Sequence, residues 1–453
     1  MTSDAIVRLA DMQERGALRP DSEDALALVF AEQHANDLRY VHLWGRWLRY
    51  DGTCWSHDDT LRVFDTVRDI CREAARVSGK SSTITPSAKT VAAVEKLARS
   101  DRRLAARAVQ WDAQPWLLTT GDETSGATFD LRTGSNRPPD ASDYITKKTA
   151  CEAAPPGTPH PLFSAFLDRI TGGDTELQQF LQRYIGYCLS GITTEHVFVF
   201  GHGTGANGKG TFLNTIQSIF GNYATTAHVS TFMASRTEQH PTDLAKLTGA
   251  RLVVAQETQK GRRWDEVKIK AITGGDTISA RFMRQDFFDF VPTFKIFVTG
   301  NYKPTLATVD EAMHRRLLLV PFSVQIPKDE RDPKLVEKLK AEWPAILRWA
   351  IEGCLAWQAL GLAPPASVLE ATEQYFAEQD VLRQWLDECT ADGGPLALTR
   401  TKELFKSWKD WAEERNLKPG SEKSFSELLA NSFAKKRNSA GQYSFVRLTL
   451  KAR

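Results

Sequence analysis

The stretch Gly201–Thr211, reading GHGTGANGKGT, decides the fold. It follows the apolar run Val197-Phe198-Val199-Phe200 and leads into Phe212-Leu213-Asn214-Thr215-Ile216, whose apolar spacing is that of a helix. A buried strand, a glycine-rich turn and a helix start are the context in which such a motif becomes a phosphate site. Gly203, four residues, then Gly208-Lys209 fit the first part of the P-loop pattern. Gly203, Gly205 and Gly208, with Ala206 and Asn207 among them, let the backbone curl so that N–H groups point inward at a triphosphate. The helix N-terminus adds its partial positive charge. Lys209 is spaced to reach the β- and γ-phosphates, and the helix continues through Gly210, Thr211 and Phe212. The usual pattern puts a magnesium-binding hydroxyl directly after the lysine. Here that position is Gly210, and the hydroxyl arrives one residue later, at Thr211.

At 453 residues the chain has room for several domains, roughly three at about 150 residues each. Hydrophobic residues at 42% and charged residues at 25% are those of an ordinary globular protein. No apolar run approaches the ~20 residues that span a bilayer, and MTSDAIVRLADMQERG lacks the apolar core of a signal peptide. Cys54, Cys71, Cys151, Cys188, Cys354 and Cys389 are scattered without a CxxC pair, so neither a zinc knuckle nor a disulfide framework is indicated. A reducing cytoplasm is the expected compartment. The net charge of +2 hides an asymmetry. Leu396–Arg453 carries 13 Lys/Arg against 6 Asp/Glu, which leaves 45 of the 58 basic and 50 of the 56 acidic residues for the rest. A basic end on a slightly acidic body suits contact with a phosphate backbone.

Before the motif, Asp24–His34 has helical spacing, and Val41–Trp55 alternates aromatics around Asp51-Gly52 like a hairpin. His57-Asp58-Asp59 reads as a turn. Helices are expected over Leu61–Val77 and Ala88–Val109, and short strands over Trp111–Arg132. Ala153–Pro161 marks a boundary, after which Pro161–Ser190 is helical and broken at Gly172-Gly173-Asp174. Helical sequence resumes from Pro333 to Gly361, then runs to Cys389, with Ala391–Pro395 as a loop. The end reads as helices over Thr399–Asn416 and Ser424–Phe433, basic Lys435-Lys436-Arg437, and a strand over Gln442–Lys451. Helices followed by a two-strand wing are the order of a winged-helix module.

A P-loop ATPase needs an acid at a neighbouring strand end to order magnesium and polarise the attacking water. Arg251–Thr258, RLVVAQET, ends in Gln256-Glu257, which makes Glu257 the candidate base and leaves a neutral Gln256 ahead of it. The apolar strand Phe294–Gly300 ends in Asn301, an amide able to hold the lytic water. Arg315 and Arg316 precede the strand Leu317–Val320, placed to reach a neighbouring subunit's nucleotide. Between these lie Lys268–Asp276, with Lys270, and a hairpin around Arg284-Gln285-Asp286 that also carries Arg281. Basic hairpin tips can grip a nucleic-acid backbone.

Together GTGANGKGTF, VVAQET, KAITGGD with its hairpin, FVTGN and RRLLLVPF resemble a superfamily 3 helicase. The resemblance is to the helicase half of phage and plasmid primase-helicases, related to the poxvirus primase-helicase. It runs from about Trp111 to Phe322, and more loosely to the end. It implies a multidomain α/β chain with an AAA+-like P-loop ATPase core over 192–327. An α+β N-terminal region (1–152) and a helical collar (160–191) precede the core; a helical lid (328–392) and a winged-helix-like basic module (395–453) follow. The implied cofactors are ATP and Mg²⁺, with Lys209, Thr211 and Glu257 at the phosphate and metal site and Asn301 as sensor. Arg316 best matches the arginine finger, with Arg315 as its neighbour. Lys270, Arg281 and Arg284, and separately Lys435, Lys436 and Arg437, are the expected DNA contacts. The implied partners are single-stranded DNA, an origin duplex, further copies in a hexameric ring and a separate primase or polymerase. No membrane is implied. Ahead of Trp111 there is no paired-Asp and His set like a primase site, so priming is not expected. The expected function is an ATP-dependent DNA helicase for phage or mobile-element replication in a bacterial cytoplasm. The alternative is an initiator in which ATP only holds a ring together.

Overall fold

The computed structural model describes residues 22–78, 86–122, 125–235, 241–284, 286–307, 309–415, 417, 419–430, 433–437 and 442–451. The N-terminal start, Gln285 at the expected hairpin tip, and Asn416, Asn431 and Ser432 in the expected C-terminal helices lie outside the described residues. The chain divides into two compact units, Met1–Thr305 with Arg315–Leu369, and Leu306–His314 with Glu370–Arg453.

The first unit opens with α1 (Glu23–Gln33), capped by Ser22, whose hydroxyl accepts from the Ala25 N–H. Strands β1 (Leu38–Val41), β2 (Arg46–Tyr50) and β3 (Trp55–His57) follow, then α2 (Arg62–Ser78), α3 (Ala88–Ala98) and β4 (Ala105–Ala106). The sheet order is β3-β2-β1-β4. The hairpin at Asp51-Gly52 forms as expected, with Tyr50 opposite Trp55 and the Asp51 carboxylate accepting from two turn N–H groups. Asp58 takes the turn role too, accepting from the N–H groups of Arg62 and Val63. The helix expected to reach Val109 stops at Ala98. Asp101 accepts from the Arg103 N–H and turns the chain, and Ala105-Ala106 then pairs in parallel with β1. Strands β5 (Leu117–Gly121), β6 (Gly126–Asp130) and β7 (Ser135–Arg137) form an antiparallel sheet in that order.

Helices α4 (Pro161–Thr171) and α5 (Thr175–Leu189) break where the glycines fall. Gly172 sits at φ 65° and Asp174 caps α5 by accepting from the Leu177 N–H. The core then runs β8 (Phe198–His202), α6 (Lys209–Phe220), β9 (Ala224–Thr226), β10 (Leu252–Gln256), α7 (Glu266–Gly274), β11 (Ile278–Ala280), β12 (Phe288–Phe290), β13 (Lys295–Gly300) and β14 (Leu317–Pro321). Five of these strands make one parallel sheet in the order β14-β8-β13-β10-β9. Parallel strands are covered on both faces, so β8, β10, β13 and β14 read as continuous apolar runs rather than alternating ones.

Helix α8 (Trp343–Leu360) lies against α5 so closely that neither Gly186 nor Gly353 has room for a side chain. A Cβ on Gly186 would sit 2.1 Å from the Cys354 nitrogen, and one on Gly353 would sit 2.1 Å from the Gln182 carbonyl oxygen. The stretches expected as collar and as the start of the lid therefore share one apolar core with the sheet. Two buried cations tie the C-terminal end of α5 to the start of the central strands. Arg251 donates to the carbonyls of Leu189 (2.6 Å) and Leu117 (2.7 Å). The Lys295 ammonium donates to the carbonyls of Ser190 and Ile192 and faces the Tyr187 ring at 4.8 Å. Burial lowers both pKa values, that of Lys295 to about 7.

The second unit holds α10 (Val381–Cys389), β15 (Thr390–Arg400), α11 (Thr401–Glu414), α12 (Glu422–Ala430), β16 (Lys435–Arg437) and β17 (Tyr443–Leu450). Ahead of α10, helix α9 (Ala366–Gln379) ends at Asp380, whose carboxylate caps α10 by accepting from the Arg383 N–H. Its core gathers Trp385, Trp408, Trp411, Phe425 and Phe445. Its antiparallel sheet has the order β15-β17-β16. The expected loop Ala391–Pro395 is instead part of β15. There Gly393-Gly394-Pro395 shifts the register against β17 between Asp392, Gly394 and Leu398 without ending the pairing. An edge strand tolerates such a bulge and a proline.

Candidate nucleotide site

The turn between β8 and α6 has the backbone of an anion cradle. Gly205 (φ 106°), Ala206 (φ 52°) and Gly208 (φ 78°) all hold positive φ, a backbone that lets N–H groups of the turn face one point. Gly208 is the α6 N-cap and offers no side-chain cap, so the first N–H groups of α6 face the turn. Two glycines are demanded by contact. A Cβ on Gly203 would lie 2.0 Å from Asn207 Nδ2 and 2.4 Å from the Phe322 carbonyl, and one on Gly208 would lie 2.3 Å from Ile170 Cγ2. The turn is pinned from outside by Asn207 Nδ2, which donates to the Phe322 carbonyl at 3.1 Å, and by the Ile326 N–H, which donates to the Ala206 carbonyl at 2.8 Å.

Lys209 is 7% exposed, and its ammonium donates to the Gly203 carbonyl (2.7 Å) and to Asn301 Oδ1 (3.4 Å). Asn301 follows β13, which lies between β8 and β10, with Gly201, Thr299 and Gln256 level across the three strands. Glu257 follows β10 and is exposed. At about 4.8 Å per strand it stands roughly 10 Å from the turn, room for a terminal phosphate and a water. Glu257 holds a left-handed backbone, φ 70°, fixed by its own N–H to the Thr299 carbonyl (3.0 Å) and by the Thr258 hydroxyl to the Tyr302 carbonyl (2.5 Å). Such a conformation costs a non-glycine residue about 1 kcal/mol or more, and it clusters at functional sites. Thr258 was not singled out from sequence; its partner is 44 residues away.

The hydroxyl question has a geometric answer in part. Gly210 has no heavy atom within 4 Å of where a side chain would start, so nothing excludes a hydroxyl there. Thr211 is half-buried on the first turn of α6. Gln256 is engaged elsewhere, donating to Asn214 Oδ1 at 3.0 Å. The donor set fits a nucleotide: inward N–H groups, one buried ammonium and an amide, with Thr211 and Glu257 available to a metal carried on the phosphates. Phe212, by contrast, is fully buried and serves packing.

The arginines lie at the opposite end of the sheet. Arg316 immediately precedes β14, and its carbonyl accepts from Phe198 at the start of β8. The turn follows the other end of β8, about 16 Å away at ~3.3 Å per residue. Arg316 is half-buried and donates to Thr273 Oγ1 at 3.1 Å, whereas Arg315 is exposed. The expected preference for Arg316 over its neighbour thus meets a guanidinium already engaged within its own chain.

The expected DNA contacts fall at separate places. β11 and β12 pair antiparallel, with Ile278 opposite Phe290. Beyond them Arg281 and Arg284 are exposed, with the Arg281 guanidinium 4.6 Å over the Phe287 ring. Lys270 is half-buried on α7. Lys435, Lys436 and Arg437 are exposed on β16 of the second unit, with Lys435 4.3 Å over Tyr443.

A pH dependence follows from Lys209. Burial lowers its pKa to about 8, and a bound polyphosphate favours the charged form. ATP binding through Lys209 would then be unaffected by pH below that value and would weaken up to about tenfold per unit above it. Calorimetry of ATP binding in buffers of different ionisation enthalpy should show almost no proton uptake near pH ~6.5 and uptake approaching about one proton near pH ~9. Identical uptake at both would remove Lys209 from phosphate contact.

Residues 27–172 match the family described as D5 N terminal like. That segment is similar to the N-terminal part of D5-like proteins. Residues 201–316, from the glycine-rich turn through both arginines, match a family of unknown function, DUF5906. A protein of Acanthamoeba polyphaga mimivirus named "Putative helicase" is 24% identical over 307 residues, covering 62% of this chain and 32% of that protein. Another of that name, from Frog virus 3 (isolate Goorha), is 25% identical over 262 residues, 52% of this chain and 26% of that protein. The chain thus spans about a third or less of the length of these relatives. Two apo structures of the NrS-1 C-terminal region share the fold, each with a TM-score of 0.52 over 94% of this chain, at 8% and 9% identity. Those two matches cover 99% and 98% of the NrS-1 chains. The D5 match begins at residue 27, so the relationship takes in the N-terminal α+β region, which the motifs alone left outside. Among the described residues no helix is long and apolar enough to cross a membrane.

Proposed function

We propose that this chain is an ATP-dependent DNA helicase subunit, hydrolysing ATP where two copies meet and using it to move along single-stranded DNA. The observation that carries the reading is the Lys209–Asn301 bridge at the carboxyl edge of a parallel sheet, with Glu257 on the next strand tip. The name shared by the viral relatives supports it. ATP, with magnesium on its phosphates, supplies the bond to be broken. Lys209 would exchange its Asn301 contact for the β- and γ-phosphates, Thr211 and Glu257 would hold the metal, Asn301 would position the attacking water, and the Glu257 carboxylate would accept its proton. An arginine some 16 Å from its own turn, by strand rise, completes the site of a neighbouring copy in a ring, a hexamer by family resemblance. In this reading the core is AAA+-like. The second unit, whose order is helix, strand, two helices and two strands, is a winged helix that meets duplex DNA through Lys435, Lys436 and Arg437.

The β11–β12 hairpin is the single-strand grip. Arg284→Ala should weaken single-strand binding and lower the log–log salt slope by about one. Fluorescence anisotropy across a salt series reads this, and an unchanged slope would make the hairpin structural.

The initiator reading has one observation of its own: Gly210 and the engaged Gln256 offer a metal neither hydroxyl nor carboxylate. Unwinding of a forked duplex, run beside sizing with and without ATP, separates the two. Strand separation lost in Lys209→Ala supports the helicase; assembly without strand separation supports the initiator.

A further inference from the structure

The second unit carries a cavity of about 520 Å³ that the nucleotide site does not use. It opens where α11 begins, beside α12 and the β16–β17 pair. Among the described residues, Arg400, Lys402, Lys423 and Lys435 line it against one carboxylate, Glu422. None of the four cations forms an ion pair with a described residue. Four cations against one carboxylate leave an excess of three positive charges in the described lining, which favours an anion.

Helix α11 is 14 residues long, and Arg400 at its N-cap makes no side-chain cap bond. The helix start therefore presents uncapped N–H groups and its partial positive charge at the cavity. An independent observation comes from Ser426. It lines the same cavity at 5% exposure, and its hydroxyl has no hydrogen-bond partner among the described residues. A buried hydroxyl without a partner destabilises the unit that holds it, and the loss is recovered when a ligand oxygen meets it. Positive charge, helix N–H groups and a waiting hydroxyl together describe the recognition of a tetrahedral oxyanion.

We propose that this cavity binds one phosphate group of duplex DNA. It extends the reading of the second unit as a duplex-binding module, and adds to it residues that lie off the basic strand: Arg400, Lys402, Lys423 and Ser426. A phosphate seated here fixes the duplex in position on the unit and carries no base information.

The test is duplex binding by the full chain, read by anisotropy over a salt series with an oligonucleotide duplex lacking terminal phosphates. The Lys402→Ala/Lys423→Ala double variant should bind the duplex roughly tenfold more weakly, with a log–log salt slope reduced by about one, the signature of one phosphate. Ser426→Ala should bind several-fold more weakly while its melting temperature stays level or rises, because the substitution removes an unpaired buried hydroxyl. A merely structural serine would lower both together, and that result would overturn the site. Unchanged affinity and slope in the double variant would overturn the cavity while leaving duplex binding by β16 standing. Absence of duplex binding by the wild-type chain would overturn both. Sodium phosphate is titrated calorimetrically as the second arm. Binding of free phosphate that the double variant loses, with duplex affinity unaltered, would make the ligand a free phosphate and contradict the duplex assignment.

Discussion

Arg315→Ala is expected to lower ATP turnover by roughly 10³-fold or more, the range measured when an arginine that meets the transferring phosphate is removed. Both arginines start from the end of β14 opposite the phosphate turn, so neither completes the site of its own chain. Of the two, Arg316 is committed to Thr273 on α7, while Arg315 faces solvent. Nucleotide binding by Arg315→Ala should be unchanged, since the cradle and Lys209 are untouched. The decisive control is mixing: adding Lys209→Ala chains, which keep Arg315 but bind no nucleotide, should restore turnover to Arg315→Ala chains in shared rings. Full hydrolysis by Arg315→Ala alone would return the finger role to Arg316 or end the inter-subunit account. Arg316→Ala should instead lower the melting temperature, having lost its bond to Thr273.

Glu257→Gln should reduce turnover by about 10²–10⁴-fold, the usual contribution of a positioned general base. Binding should persist, because the amide keeps the shape and the left-handed backbone is held by the Thr299 carbonyl rather than by the carboxylate. Single-turnover hydrolysis with radiolabelled ATP, beside equilibrium binding, separates the two effects. Loss of binding together with turnover would make Glu257 chiefly a metal ligand. Turnover at the wild-type rate would place the base elsewhere.

Much of this site is legible in the sequence because its parts are local. The glycine turn, Lys209 and the start of α6 fall within a dozen residues, and the glycines are forced by φ and by contact. The strand tips bearing Glu257 and Asn301 announce themselves as apolar runs ending in polar residues. What sequence does not carry is lateral order. That β13 lies between β8 and β10, bringing Asn301 to Lys209, depends on pairing across about 90 residues. The choice between Arg315 and Arg316 depends on Thr273, 43 positions away. Glycine misled where it bends a strand rather than ending it, at Gly393-Gly394 in β15, and helical spacing misled past Ala98, where Asp101 turns the chain. The close crossing of α5 and α8 through Gly186 and Gly353 had no signal beyond two glycines inside helical spacing.

The central claim is that the Lys209 cradle hydrolyses ATP in response to single-stranded DNA. The most direct measurement is the steady-state ATP hydrolysis rate of the full chain with and without single-stranded DNA, beside Lys209→Ala. The account predicts DNA-stimulated turnover that falls to background in the variant. Turnover indifferent to DNA, or equal in Lys209→Ala, would contradict it.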